Sequence, residues 1–373
     1  MKDDMKNIGA TPRNVMGNRL SNLDSIVMGQ LPKVSSITRY LTRHRGSASP
    51  QPNPDNCDFI IPEKYKDNIL YDSGVHDPER MIAIGDRQLV SELDSETLYG
   101  DGTFDKVPNI FFQLYTWHVK VGNSYPPCIY VLLQRKDTQT YVKMLQILKS
   151  IVPSLNPQKV LVDFEKACMN AIHLEFPDTE IKGCYFHLCQ SVIRKANSLG
   201  LKTLYQSSHD LKIKIKSLAA LAFVPTTNVK YVFGILADTF PDDDDDLNQV
   251  LDYFFSTYIE GVGGRRPQFP IEMWNQYEAA IERSPKTTNC CEGFHNTLNS
   301  IFHCSHPSVW LLFDGLKRDI SCHKLTYEKS KLGQAEEPKK KYQKMYAQLA
   351  CVVEGYEEET DKLQYLKRVA NMT

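Results

Sequence analysis

Three acids, Asp101 in LYGDGTFDK, Asp163 in KVLVDFEKA and Glu292 in NCCEGFHNTL, stand where a carboxylate has little packing value. The first lies in a β-prone run, the second directly follows the apolar run Val160-Leu161-Val162, and the third sits near the start of a helix-like segment. Burying a carboxylate is costly unless a cation or hydrogen-bond donors meet it. A divalent metal is one such partner. Mg²⁺ takes a few carboxylate oxygens and completes its octahedron with water and phosphate. Two such ions about 4 Å apart stabilise the attacking and leaving oxygens of an in-line phosphoryl displacement. Any one acid alone reads as an ordinary surface or capping residue, since charged side chains are mostly exposed. The three together, with their flanking residues, point to metal-assisted phosphoryl transfer. Asp105 and Glu165 compete for the same roles, although Glu165 begins a helix, where carboxylates commonly offset the dipole.

The elements that must position these acids are legible from periodicity. Residues 81–84 and 98–104 read as strands with a short helix over 87–93 between them, and the second strand carries Asp101. Residues 111–119 and 129–133 are rich in aromatic and branched residues, which predicts a three-strand meander. Tyr141 to Ile151 has helical spacing, 159–162 is a strand ending at Asp163, 167–175 a helix and 181–186 a strand. A crossover helix between parallel strands sets Asp163 at a strand's carboxyl end beside Asp101. After His187 a helix runs to about Leu199. Residues 201–282 then read as helices broken at Pro225, Pro241 and the loop from Gly261 to Pro270. The whole is an α/β chain with a large helical insertion at about 188–283 that delivers Glu292 on its return. Asp242 to Asp246 cannot converge on one ion and read as a solvated loop.

Residues 1–46 form a small helical unit. Thr11-Pro12 opens one segment through Val15, Leu20, Leu23 and Ile26, Leu31-Pro32 breaks it, and Ser35-Ser36 caps a second with Ile37, Tyr40 and Leu41. The second carries Arg39, Arg43, His44 and Arg45, a basic helix that would meet DNA in a helix-turn-helix arrangement or simply offset its own dipole. Residues 47–80 are linker and lead-in, 81–325 the core, and 326–373 a charged tail with few apolar anchors. The net charge of −1 shows no global basic excess, so DNA contact must come from local patches. The ten cysteines lack a disulfide-scaffold spacing and no signal peptide precedes them, which predicts reduced thiols in an intracellular protein. No apolar run approaches a membrane span of about 20 residues.

From about residue 97 to 325 the chain resembles the transposase domain of Mutator-like elements, the MULE group. The landmarks run in order: DGTFDKVPNIFFQLYTWH, QTYVKMLQILKSIVP, VLVDFEKACMNAI, GCYFHLCQSVIRKA, ALAFVP, LDYFFSTYI, FPIEMWNQYE and TTNCCEGFHNTLNSIFHCSHPS. The resemblance implies a ribonuclease H-like mixed sheet of the DDE superfamily that cuts and joins DNA. It puts the catalytic and metal-binding triad on Asp101, Asp163 and Glu292. Two Mg²⁺ (or Mn²⁺) ions go with it, bridged by Asp101, with Asp163 mainly on one and Glu292 on the other. The implied partners are double-stranded DNA, as terminal inverted repeats and target, and a second copy of the chain, in the nucleus. The zinc-finger units that such proteins often carry, FLYWCH-type or SWIM-type, are not visible. A truncated copy, a fragment and a domesticated, catalytically silent DNA- or protein-binding factor therefore stay open, as does a ribonuclease or structure-specific nuclease on the same fold.

The family's C-x-x-H element falls on Cys184 and His187. It supplies two ligands with zinc-like spacing, but a structural zinc wants four. Cys189 could add to it, and His303, Cys304 and His306 form a second group far along the chain, yet no complete ligand set is present. A half-buried packing pair and a metal or DNA contact are both open readings. Cys290-Cys291 read as packing residues, with His295 too little to make a nucleophile pair. Trp274 reads as a core anchor of the insertion, with base stacking the alternative. Arg39, Arg43, Arg45, Arg194 and Lys195 are the candidate DNA-binding cations.

Overall fold

Every position of Gln113–His118 (QLYTWH) and Pro127–Leu133 (PCIYVLL) is buried, the pattern of strands covered on both faces. They are β4 and β5 of a seven-stranded mixed sheet in the computed structural model. The structure describes residues 12–20, 27, 30–45, 52–282, 296–302, 304–334, 337 and 340–373. The other strands are β1 (Ile69–Asp72), β2 (Ile82–Gly85), β3 (Thr97–Thr103), β6 (Lys159–Val162) and β7 (Glu180–Gly183). Their order is β1-β2-β5-β4-β3-β6-β7. β2 runs antiparallel to β1 and β5, and β5 antiparallel to β4, whereas β3, β6 and β7 are parallel. Helices of eight or more residues are α1 (Pro12–Leu20), α2 (Val34–Arg45), α3 (Thr138–Ile151), α4 (Lys166–Glu175), α5 (Tyr185–Ser198), α6 (His209–Ala220), α7 (Val229–Ala237), α8 (Asp245–Phe254), α9 (Val309–Lys331), α10 (Lys340–Glu354) and α11 (Lys362–Met372).

The chain divides into two compact units. The first comprises residues 1–94, 101–155 and 291–334, the second 95–100, 156–290 and 335–373. In the first, α9 lays Trp310, Phe313, Leu316 and Ile320 into a core with Phe59, Tyr65, Ile82, Leu114 and Tyr130. Tyr65 stacks on Trp310 with centroids 6.1 Å apart. Arg80 is only 1% exposed and holds the lead-in segment: its guanidinium donates to both oxygens of Asp72, at 2.8 and 2.6 Å, and to the carbonyls of Cys57 and Phe59. Tyr130 donates to the buried carboxylate of Asp319 at 2.7 Å. In the second unit Trp274 is fully buried among Phe254 and Tyr258 and donates Nε1 to the Tyr258 carbonyl, which makes it a core anchor. From residue 188 to 282 helices follow one another and no strand occurs.

Several expectations are corrected. The lead-in at 47–80 contains β1 and a helical turn at Glu63–Lys66, both too short to show a period. The strand expected over 181–186 ends at Gly183, because the Cys184 amide donates to Val162 O and the chain then turns into α5. Ser35-Ser36 lies inside the first turn of α2, whose Ile37 amide already reaches Lys33 O. Leu23 and Ile26 are outside the described residues, and Val15, Met16 and Leu41 form the small core of α1 and α2. The charged tail is the largest departure. Thr326 falls within α9, and α10 and α11 bury Leu349, Val353, Tyr356, Tyr365, Leu366 and Val369 in the second unit. The Tyr365 hydroxyl donates to Phe223 O, and Asp361 caps α11 through the Gln364 amide.

One ion pair fixes α3 to the loop before β2. Lys143 Nζ lies 2.7 Å from Asp77 Oδ2, and this hydrogen bond, with a second from Ser73, lowers the Asp77 carboxyl to about 2. A carboxyl depressed in the folded state stabilises it fully above the ordinary pKa of about 4, and this contribution is lost as pH falls through about 2. Lys143→Met is expected to raise the Asp77 midpoint toward 4, read by carboxyl ¹³C NMR. An unmoved midpoint would show that Lys143 is not its cause.

Candidate active site

β3 carries Asp101 into the first unit with its side chain 3% exposed. Asp101 Oδ1 accepts from the Gly102 amide at 2.8 Å. The strand beside it supplies the support. Thr116 Oγ1 lies 3.3 Å from Asp101 O, and the fully buried His118 sets Nε2 2.9 Å from that hydroxyl and Nδ1 3.1 Å from Tyr125 O. The single Thr116 hydroxyl proton serves either Asp101 O or His118 Nε2, according to the imidazole tautomer. Gly102 is required by close approach: a Cβ there would fall 2.0 Å from Gln113 Nε2, and Gln113 is itself buried and held by the Tyr141 hydroxyl at 3.1 Å.

Asp163 directly follows β6 in the second unit and is half-buried. The next residue, Phe164, fixes the turn by laying its ring against Gly183 of β7, where a Cβ would meet ring carbons at 2.5 Å. Phe269 and Tyr258 pack on the same ring, with centroids 4.9 and 5.6 Å away. In the parallel pairing Thr97 faces Lys159, Leu98 faces Val160 and Tyr99 faces Leu161. Asp101 is two residues beyond Tyr99, and Asp163 two beyond Leu161.

Glu292 lies outside the described residues, as do Cys290, Cys291, His295 and His303. Residues 296–302 belong to the first unit. Leu298 and Phe302 are buried in its core. Residues 304–306 are tied to 105–107: Lys106 Nζ donates to Cys304 O, the His306 amide to Asp105 O at 2.7 Å, and His306 Nδ1 lies 3.0 Å from Val107 O. His306 takes a left-handed φ of 49° there. Asp105 belongs to this clamp. A hydrogen bond from Ser305 and then the Lys106 ammonium at 2.9 Å hold its carboxyl below the usual range. Glu165 occupies the position before α4 with no side-chain capping bond.

Cys184 is fully buried at the start of α5, and His187 is half-buried in its first turn. Burial raises the Cys189 thiol to about 11. Cys304 and His306 belong to the first unit. Among the described residues no three His, Cys, Asp or Glu side chains form a metal-binding group. Arg39 and Arg43 are exposed one turn apart on α2, while the side chain of Arg45 is outside the described set. Exposed Arg194 donates to Gln190, and Lys195 stands 5.9 Å over the Tyr253 ring.

With this geometry in place, comparison with known families decides the class of the segment. Residues 97–191 match the MULE transposase domain. The match contains Asp101, Asp163, Cys184 and His187, and it stops before Arg194, Lys195 and Glu292. No curated protein matches the chain. No helix among the described residues is long and apolar enough to cross a membrane. Gln113, Thr116, His118, Phe164 and Gly183 carry no sequence signal that marks them as supports of the two aspartates. All five lie inside the quoted landmarks, yet their roles depend on cross-strand packing that sequence order does not display.

Gly183→Ala is expected to destabilise the chain by about 1–3 kcal/mol, the usual cost of forcing a buried ring to move. Combining it with Phe164→Leu should recover part of that loss. Urea midpoints of the two single variants and the double variant measure the coupling, and strict additivity would contradict the contact.

Proposed function

We propose that this chain is a DDE-type DNA transposase that cuts and joins DNA strands at a two-metal site made of Asp101, Asp163 and Glu292. The observation that carries the reading is the β3–β6 register inside the MULE-matching segment: two strand partners are each followed, two positions on, by a carboxylate. The strand sequence β5-β4-β3-β6-β7, with α3 and α4 as crossovers, supports a ribonuclease H-like core. Glu292 enters the reading through the family resemblance of its flanking sequence TTNCCEGFHNTL.

The donor set fits hard divalent ions. Carboxylate oxygens suit Mg²⁺ or Mn²⁺, and a nearly buried aspartate is best stabilised by positive charge. Such ions, when bound, supply Lewis-acid stabilisation to the attacking and leaving oxygens. The protein's own part is local: Gly102 packs under Gln113 beside Asp101, and Phe164 packs on Gly183 beside Asp163. Phosphate contacts fall to Arg39, Arg43, Arg45, Arg194 and Lys195, whose attraction to DNA weakens with salt. The substrate is duplex DNA carrying terminal inverted repeats, together with target DNA. Pairing two ends calls for a dimer or higher assembly, and a chromosomal substrate goes with a nuclear location.

The test is incubation of the full chain with Mg²⁺ or Mn²⁺ and duplexes bearing candidate terminal repeats, scored for nicks and strand transfer. Asp101→Asn is expected to reduce cleavage by at least about a hundredfold, as several kcal/mol of charge stabilisation disappears. Binding of the duplex should persist, and thermal stability should hold or rise as carboxylate repulsion falls. A parent chain that binds DNA as well as the variant but cuts under no condition would be a silent DNA-binding factor. Cleavage confined to RNA would make it a ribonuclease.

A further inference from the structure

Phe104 and Phe112 flank a recess just past the end of β3, and each ring is 44% exposed. Their centroids lie 5.4 Å apart at 75°, an edge-to-face pair. Lys136 sets its ammonium 5.5 Å from one ring and 5.7 Å from the other, and it forms no ion pair among the described residues. Asn109, Phe111 and His306 complete a recess of about 330 Å³, within the range of ligand pockets, about 300–1,000 Å³. The neighbouring Phe111, by contrast, is only 4% exposed and packs in the core of the first unit. The clamp at 304–306 fixes the His306 wall.

The chemistry of the recess selects its occupant. Two accessible aromatic faces offer stacking to a flat ring, at low conformational cost. An ammonium beside them, with no ion pair among the described residues, calls for a negative charge tied to that ring. Exposed Asn109 can both donate to and accept from a heterocycle's edge. A nucleotide combines the flat ring, the polar edge and the anion, whereas an aliphatic peptide side chain would leave Lys136 and Asn109 unused. We propose that this recess stacks an unpaired nucleobase of single-stranded DNA, with Lys136 at its phosphate. In a duplex both faces of a base are covered by neighbours, so the site takes a frayed, displaced or nicked strand. The proposal rests on the reading of DNA as substrate and adds a strand-selecting subsite to it.

The experiment uses the full chain with a short single strand containing 2-aminopurine, and the blunt duplex of the same sequence. The parent should quench 2-aminopurine on binding. Phe104→Ala with Phe112→Ala should abolish the quench and weaken single-strand binding about 5- to 150-fold, the range for loss of base stacking, with duplex affinity unchanged. Tyrosine at both positions should retain the quench. Lys136→Ala should lower the salt slope by about 0.7, the value for one phosphate of a single strand. Absence of quenching with the parent, or an alanine double variant that binds the single strand as tightly as the parent, overturns the proposal. Phenylalanine-dependent quenching in a chain that never cuts duplex DNA would leave the stacking site standing and remove the transposase reading. Metal-dependent cutting with no phenylalanine dependence would remove the stacking site alone.

Discussion

The parallel hydrogen-bond register of β3 and β6 is the constraint on which the site depends. Leu98, Tyr99, Val160 and Leu161 are all at most 5% exposed, so both strands are committed to buried faces. A slip of one residue would turn every side chain of a strand to its opposite face. Burial therefore locks the Leu98–Val160 and Tyr99–Leu161 pairs, while the Thr97–Lys159 pair at the strand start is only half-buried. Neither aspartate has to be placed by its own interactions.

Each aspartate is also pinned locally, by different means. Beside Asp101 the device is polar: Tyr141, Gln113, Thr116 and His118 form hydrogen bonds next to the strand, and Gly102 makes room for the Gln113 amide. Beside Asp163 it is aromatic: Phe164 lies on Gly183 under Phe269 and Tyr258. Buried, rotamer-locked supports of this kind fix geometry better than a loop can. The same logic governs the chain return after residue 296, where Leu298 and Phe302 enter the core and a histidine in left-handed conformation is tied to Val107.

Strand and helix identities were legible wherever the pattern was long or fully apolar. β6 matches its expected limits, and the meander, α3 and α4 differ only at their ends. Asp137, which caps α3 through the Thr140 amide, explains why that helix begins three residues before Tyr141. β1 was hidden because four half-buried residues carry no periodicity. α10 and α11 were hidden by composition, since acidic and lysine runs dominate the segment while Leu349, Val353, Tyr356 and Tyr365, Leu366, Val369 recur at helical spacing. The two aspartates of the proposed site stand out in the sequence as acids within a β-prone run (Asp101) and directly after one (Asp163). Their supports do not, because Gly183 meets Phe164 only through the pairing of β6 with β7.

Anomalous scattering from crystals of the full chain soaked in Mn²⁺ addresses the central claim most directly. The account expects a manganese peak coordinated by carboxylate oxygens of both Asp101 and Asp163. A saturated crystal with no peak there, or with the ion held by Asp105 or Glu165 in place of either aspartate, would contradict it.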